Sequence, residues 1–203
     1  LIAYNGGLVT NGERILHSTT IPFAVLEKVV ALNEQYFQGK IHISFYNNNE
    51  WYVPEYDQWA QREENNTLVK PEVLPNREVL TQWQPTQKGA HKLMLMGEEQ
   101  LISKMFALLN EQFADAMQIY RGKETYIELS DKSVSKLTGI KVILDEIYHF
   151  SLEEALAFGD NYNDLEMLQG VGCGVAVANA REEVKQIAKY ITLHHKEDGV
   201  AEF

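Results

Sequence analysis

The sequence has 203 residues, of which 45% are hydrophobic, and its formal net charge is -11 at pH 7. A chain of this length can bury a sizeable core, in one large domain or in two small ones. The acidic balance argues against binding along a nucleic acid or on an anionic membrane, because both need clustered Lys and Arg. We therefore expect a small-molecule ligand and neither of those partners.

Cysteine content and hydropathy bear on the compartment. Cys173 is the only cysteine and cannot form an internal disulfide, so nothing indicates an oxidising environment. No stretch approaches the ~20 consecutive apolar residues of a membrane span. We expect a cytoplasmic protein.

The chain opens with two short predicted strands, and these flank the turn Asn5-Gly6-Gly7. A helix between Pro22 and Gly39 follows, because its apolar residues recur at helical spacing. Alternating apolar residues over 41–46 and a return over 51–53 then predict a hairpin. Residues 56–88 give a weak signal, apart from a short helix over 57–64.

A strand over 91–96 and an amphipathic helix over about 98–113 come next. Two further strands, over 117–120 and 125–129, are predicted on either side of an Arg-Gly-Lys turn. Helices and antiparallel hairpins in this order predict an α+β unit over 17–125.

The rest of the chain alternates helices and strands, which predicts parallel βαβ units. Its predicted strands cover 155–158, 174–178 and 190–193. We therefore expect an α/β fold of the doubly wound type, with a core of residues 1–16 and 126–203 that carries the α+β unit as an insertion.

A polar loop, Gly159-Asp160-Asn161-Tyr162-Asn163-Asp164, directly follows the first of these strands. Ligands of parallel α/β sheets bind at the carboxyl ends of strands, which is where this loop lies. Two carboxylates and an amide can hold Mg²⁺, a hard cation that prefers oxygen ligands. The alternative is a structural loop in which these side chains only turn the chain and cap the next helix.

The pattern Gly-Asp-x-x-Asn-Asp resembles the fourth signature motif of haloacid dehalogenase (HAD) phosphatases, and in particular of their Cof-type branch. The segments Gly174-Val175-Ala176-Val177-Ala178-Asn179-Ala180 and Asp198-Gly199-Val200 follow in the Cof-type order, and Tyr4-Asn5-Gly6-Gly7 resembles its strand-ending Asn-Gly turn. The resemblance implies a Rossmann-like core with a large α+β cap, and a phosphatase that acts on small phosphorylated metabolites.

The resemblance also implies roles for individual residues. Asp160 would ligate Mg²⁺, and Lys136, at the start of the helix before the Gly-Asp strand, would contact the phosphoryl group together with Asn163. Asp164 would orient Lys136 or a metal-bound water, and Asn5 would lie at the substrate. The predicted catalytic residues are thus Lys136, Asp160 and Asp164.

The family uses an Asp-x-Asp pair as nucleophile and general acid-base, and no Asp-x-Asp occurs in the 203 residues. We expect that the segment with this pair lies upstream of Leu1, so that the core formed by this chain is N-terminally incomplete and inactive by itself. The alternative is a non-catalytic relic that binds phosphate esters or a protein partner. The leaving group and the oligomeric state stay open.

Overall fold

The computed structural model describes residues 1–203, which divide into two compact units. The first unit contains Leu1–Ser18 and Val134–Phe203, and the second contains Thr19–Ser133. In chain order the strands are β1 (Ile2–Ala3), β2 (Leu8–Asn11), β3 (Arg14–Ser18), β4 (His42–Asn47), β5 (Glu50–Val53), β6 (Glu72–Val73), β7 (Lys92–Met96), β8 (Met117–Lys123), β9 (Tyr126–Asp131), β10 (Leu156–Gly159), β11 (Cys173–Ala176) and β12 (Tyr190–Ile191). The helices are α1 (Phe23–Phe37), α2 (Gln58–Thr67), α3 (Asn76–Trp83), α4 (Glu99–Phe113), α5 (Lys136–Ile143), α6 (Leu165–Gly170) and α7 (Glu182–Ile187).

The second unit is built on a six-stranded sheet with the order β6-β5-β4-β7-β9-β8, antiparallel except for the β5–β6 pair. Helices α1, α3 and α4 pack on one face, where Phe45, Leu95 and Ile127 join their apolar residues in one buried cluster. Alternate strand positions point to the other face. There Trp51 and Val53 pack with Ala60 of α2 in a small separate cluster.

The first unit contains two three-stranded sheets. Strands β10, β11 and β12 are parallel, with α6 between the first two and α7 between the last two. Strands β1, β2 and β3 form an antiparallel sheet. Apolar residues of β10, β11, α6 and α7 form the buried cluster of this unit. The parallel βαβ units and the α/β fold class expected from the sequence are confirmed.

The boundaries of the two units differ from the predicted core of 1–16 and 126–203 and insertion of 17–125. Residues 126–133 belong to the second unit, because β9 pairs with both β7 and β8 in the six-stranded sheet. The strand β3, which the sequence did not reveal, extends the first segment of the first unit to Ser18. Within 56–88, α2 confirms the predicted short helix, whereas α3 was missed. None of the helices combines the length and apolar character needed to cross a membrane.

Candidate active site

The polar loop that follows β10 is organised around the side chain of Asp164. This residue is buried, and its Oδ2 accepts hydrogen bonds from the backbone N–H groups of Asp160 (2.9 Å) and Asn161 (3.1 Å). Gly159 permits this closure, because a Cβ there would lie 2.6 Å from the Cβ of Asp164. The sharp turn from strand to helix thus depends on a glycine before the loop and a carboxylate at its end.

Lys136 is the first residue of α5 and reaches the same carboxylate. Ser135 caps the helix by accepting a hydrogen bond from the backbone N–H of Thr138, whose hydroxyl accepts one from the Ser135 N–H. The Nζ of Lys136 donates to Oδ1 of Asp164 at 2.5 Å. A cation is unfavourable at a helix N-terminus. Asp164 therefore neutralises a lysine that the helix alone would disfavour.

Asn5 enters the same region from the turn after β1. Tyr4, Asn5 and Gly6 all have positive φ, at 51°, 54° and 105°. A Cβ on Gly6 would lie 2.1 Å from the carbonyl oxygen of Ser135, so only glycine permits this approach to the start of α5. The Oδ1 of Asn5 accepts a hydrogen bond from Nδ2 of Asn163 at 3.2 Å.

A cavity of about 330 Å³ opens at this junction, lined by Ile2, Tyr4, Asn5, Lys136, Ile140 and Met167. Burial raises the pKa of the Tyr4 hydroxyl, so it keeps its proton at neutral pH. A second hollow, of about 390 Å³, is lined by Asp160 and, among others, Phe158, Asn179 and His195. Of the predicted site residues, Asn5 and Lys136 line the first hollow and Asp160 lines the second.

Asp160 differs from Asp164 in its surroundings. Asp160 is exposed, and its carboxylate makes no hydrogen bond or ion pair with the rest of the chain. The capping of the loop is performed by Asn161 and Asp164. The structural-loop interpretation thus accounts for Asp164, but it leaves the carboxylate of Asp160 without a role.

The polar loop after β10 contains the kind of ligand atom that Mg²⁺ prefers. The loop offers oxygen donors, which suit a hard cation, and Asp160 has its carboxylate free. The chain contains no group of three or more His, Cys, Asp or Glu side chains that could enclose a metal ion. Asp160 therefore fits a Mg²⁺ site in which the protein supplies few ligands and water or a bound anion supplies the others.

The structure brings together Lys136 with Asp164 and Asn5 with Asn163, and it places Asp160 in the same loop as Asn163 and Asp164. No structural role was predicted for three residues that support the site: Ser135, Gly6 and Gly139. A Cβ on Gly139 would lie 3.1 Å from the Cα of Gly6, so α5 and the turn need both glycines. The Ser-x-x-Thr spacing at 135–138 was a readable helix-start signal.

The fold and the polar cluster define an α/β protein whose candidate ligand site lies at the carboxyl end of its parallel strands. The profile of the haloacid dehalogenase-like hydrolase family matches residues 1–203. The chain belongs to this family.

Relatives and solved structures agree with the family. A Haemophilus influenzae protein named as a phosphatase is 33% identical over 204 residues, which are 99% of this chain and 73% of that protein. A haloacid dehalogenase-like hydrolase from Bacteroides thetaiotaomicron has a similar structure, with a TM-score of 0.80, 28% identity and coverage of 98% of this chain and 73% of that one. A HAD subclass IIB sugar phosphatase shares the fold, with a TM-score of 0.78, 23% identity and coverage of 98% and 71%.

Proposed function

We propose that this chain is the larger part of a Mg²⁺-dependent phosphatase that hydrolyses small phosphorylated metabolites. The observation that carries the proposal is the ion pair of Lys136 and Asp164 at the carboxyl end of β10, beside a loop in which Asp160 keeps a free carboxylate. The names of the relatives support the reaction class. A sugar phosphate, a nucleotide or a phosphorylated cofactor is the expected kind of substrate.

The proposed role of each site residue follows from the charge or the hydrogen-bonding groups of its side chain. Lys136 contacts the transferring phosphoryl group, and Asp164 fixes the position of the Lys136 ammonium group. Asn5 and Asn163 orient phosphate oxygens through their amide groups. Asp160 provides a ligand to Mg²⁺, which neutralises charge on the phosphoryl oxygens when it is bound. Each of these groups acts where negative charge develops during phosphoryl transfer.

We also propose that the 203 residues do not hydrolyse phosphate esters by themselves. The covalent route needs an aspartate nucleophile with an acid-base aspartate two positions later, and the sequence contains no Asp-x-Asp. Asp164 cannot substitute while it is bound by Lys136 and two backbone N–H groups. In this proposal the second unit is a cap that selects the leaving group, and the protein acts in the cytoplasm.

Binding of inorganic phosphate to the 203-residue chain tests the site separately from catalysis. We expect phosphate with Mg²⁺ to shift the NMR signals of the Lys136 ammonium and the Asn163 side-chain amide. Lys136→Gln should weaken this binding about tenfold, because hydrogen bonds to charged groups contribute about 1.5–3 kcal/mol. Lys141→Gln, an exposed position on α5, is the matched control. Equal phosphate affinities of the two variants would contradict a phosphate site at Lys136.

A non-catalytic relic that binds phosphate esters or a protein partner is the second candidate, and the lack of any Asp-x-Asp favours it. The coding sequence upstream of Leu1 separates the two. An in-frame Asp-x-Asp there supports the enzyme, whereas a stop codon supports the relic.

A further inference from the structure

The second unit contains a charged cavity of its own. Its volume is about 410 Å³, and its lining includes Arg62, Glu63, Lys92, Lys123, Tyr126 and Glu128. The strand residues come from β7, β8 and β9, and Arg62 and Glu63 come from α2, the helix opposite α1, α3 and α4. Three cations thus share one cavity in a protein whose net charge is -11.

Opposite charges in this cavity are only partly paired. Glu63 pairs with Arg62 at 3.3 Å. Lys92, Lys123 and Glu128 form no ion pair or hydrogen bond with any side chain, although all three line the same cavity. Charged groups that face a shared cavity without pairing remain available to a ligand. The arrangement suits a molecule that brings an anion to Lys123 and hydrogen-bond donors to Glu128.

Two cations of this cavity make close contacts with neighbouring side chains. The guanidinium of Arg62 lies 5.0 Å from the ring centroid of Trp59 and 5.9 Å from that of Tyr126, and Nη2 lies 3.6 Å from Sδ of Met96. The Nζ of Lys92 lies 4.6 Å from the ring centroid of Tyr46. Contacts of this kind reduce the side-chain entropy that binding would otherwise cost.

Tyr126 adds a neutral donor. A Cβ on Gly122 would lie 2.6 Å from the Tyr126 ring, so this glycine lets the ring lie against the β8–β9 hairpin. Burial, followed by the nearby carboxylate of Glu128, raises the pKa of the Tyr126 hydroxyl. The hydroxyl therefore stays protonated at neutral pH and can donate a hydrogen bond.

We propose that this cavity is a binding site for a small polyhydroxylated carboxylate or a similar polyol anion. The anionic group binds Lys123, and the hydroxyl groups donate to Glu128 and Glu63. This inference does not rest on phosphoryl transfer, because it concerns equilibrium binding of an unphosphorylated molecule by the second unit. Failure of either proposal therefore leaves the other standing.

The test uses the 203-residue chain and three probes, with binding followed by amide chemical shifts of residues 62–66 and 123–128. Gluconate carries both an anion and hydroxyls, sorbitol carries only hydroxyls, and acetate carries only the anion. We expect saturable binding of gluconate, with sorbitol and acetate each about tenfold weaker or more. No saturable shift with gluconate, or equal binding of acetate or sorbitol, would overturn the proposal.

Two matched variants test whether gluconate binds in this cavity. Lys123→Gln alters an exposed side chain at the cavity, so it should leave the fold intact and weaken gluconate binding about tenfold. Lys104→Gln is the control, because Lys104 is an exposed lysine of α4, on the opposite face of the sheet. Equal affinities of the two variants would place the gluconate elsewhere and overturn the assignment.

Discussion

The ammonium group of Lys136 lies 2.5 Å from a carboxylate oxygen of Asp164, although the two residues are 28 positions apart in the sequence. The Asp164 side chain is 3% exposed and that of Lys136 is 33% exposed. The pair thus joins the start of α5 to the loop after β10, and it ties the stability of the first unit to the geometry of the candidate site.

Removing the lysine should destabilise the first unit. Lys136→Ala leaves a buried carboxylate with only its two backbone donors, and the expected cost is about 1–3 kcal/mol. Hydrogen exchange of β10 and β11 amides against urea measures this change in the first unit alone. Lys141→Ala, an exposed lysine in the last turn of the same helix, is the control and should change exchange by less than about 0.5 kcal/mol. Equal losses of unfolding free energy in the two variants would mean that the ion pair of Lys136 and Asp164 does not stabilise the fold.

The same substitution should destabilise the fold at one carboxylate of the loop and leave it almost unchanged at the other. Asp164→Asn replaces the carboxylate that accepts hydrogen bonds from the N–H groups of Asp160 and Asn161 with a neutral amide. Because the amide presents either an NH₂ group or a weaker acceptor to them, the free energy of unfolding should fall by about 2–3 kcal/mol. Asp160→Asn changes an exposed, unpaired carboxylate and should stay within about 0.5 kcal/mol. The same hydrogen-exchange measurement compares them, and a large loss of stability in Asp160→Asn would contradict a role in ligand binding rather than folding.

The turn that carries Asn5 should tolerate no side chain at Gly6. Gly6→Ala combines a φ of 105° with a Cβ 2.1 Å from a backbone oxygen, and we expect a loss of about 3 kcal/mol or more. Gly12→Ala is the matched control, because its φ is 60° and no atom lies within 4 Å of the added Cβ. It should cost only about 1 kcal/mol. Similar melting temperatures for the two variants would show that the turn can move away from α5.

The second unit should lose stability in acid because of His42. Its Nδ1 lies 3.0 Å from Oδ2 of Asp57 and its Nε2 lies 3.0 Å from Oγ of Ser44. Burial lowers its pKa in spite of the carboxylate. A lowered pKa in the folded state means that the unfolded chain binds more protons, so the contribution is complete above the unfolded pKa of about 6.5 and is lost as the pH falls from there through the folded pKa.

His42→Gln should reduce the difference in unfolding free energy between pH 7.5 and pH 5.5 (roughly one unit on either side of that pKa). Tryptophan fluorescence reports this unit, because Trp51, Trp59 and Trp83 all lie within it. His149→Gln, an exposed position in the first unit, should leave the difference unchanged. An unaltered pH dependence in His42→Gln would assign the acid sensitivity to other groups, such as the buried His91, whose pKa burial also lowers.

The secondary-structure elements were predictable where neighbouring residues in the sequence determine them. The amphipathic pattern of α4 and the glycine after α1 marked their helices within a residue or two. The assignment of β9 was not predictable, because a strand shows its apolar alternation but not its partner, and its pairing with β7 moves residues 126–133 into the second unit. The contact of Asn5 with Asn163 spans 158 positions and had no local signal; only the family resemblance suggested both residues.

Hydrolysis of an aryl phosphate by a longer form of the protein, in which an Asp-x-Asp segment of a relative precedes Leu1, tests the central claim most directly. We predict turnover only with Mg²⁺, abolition by EDTA, and a loss of about 10²-fold or more in Asp160→Asn, which lacks the proposed metal ligand. The 203-residue chain, assayed in parallel, should show no turnover. Full activity in EDTA or in Asp160→Asn would contradict the proposed phosphatase site.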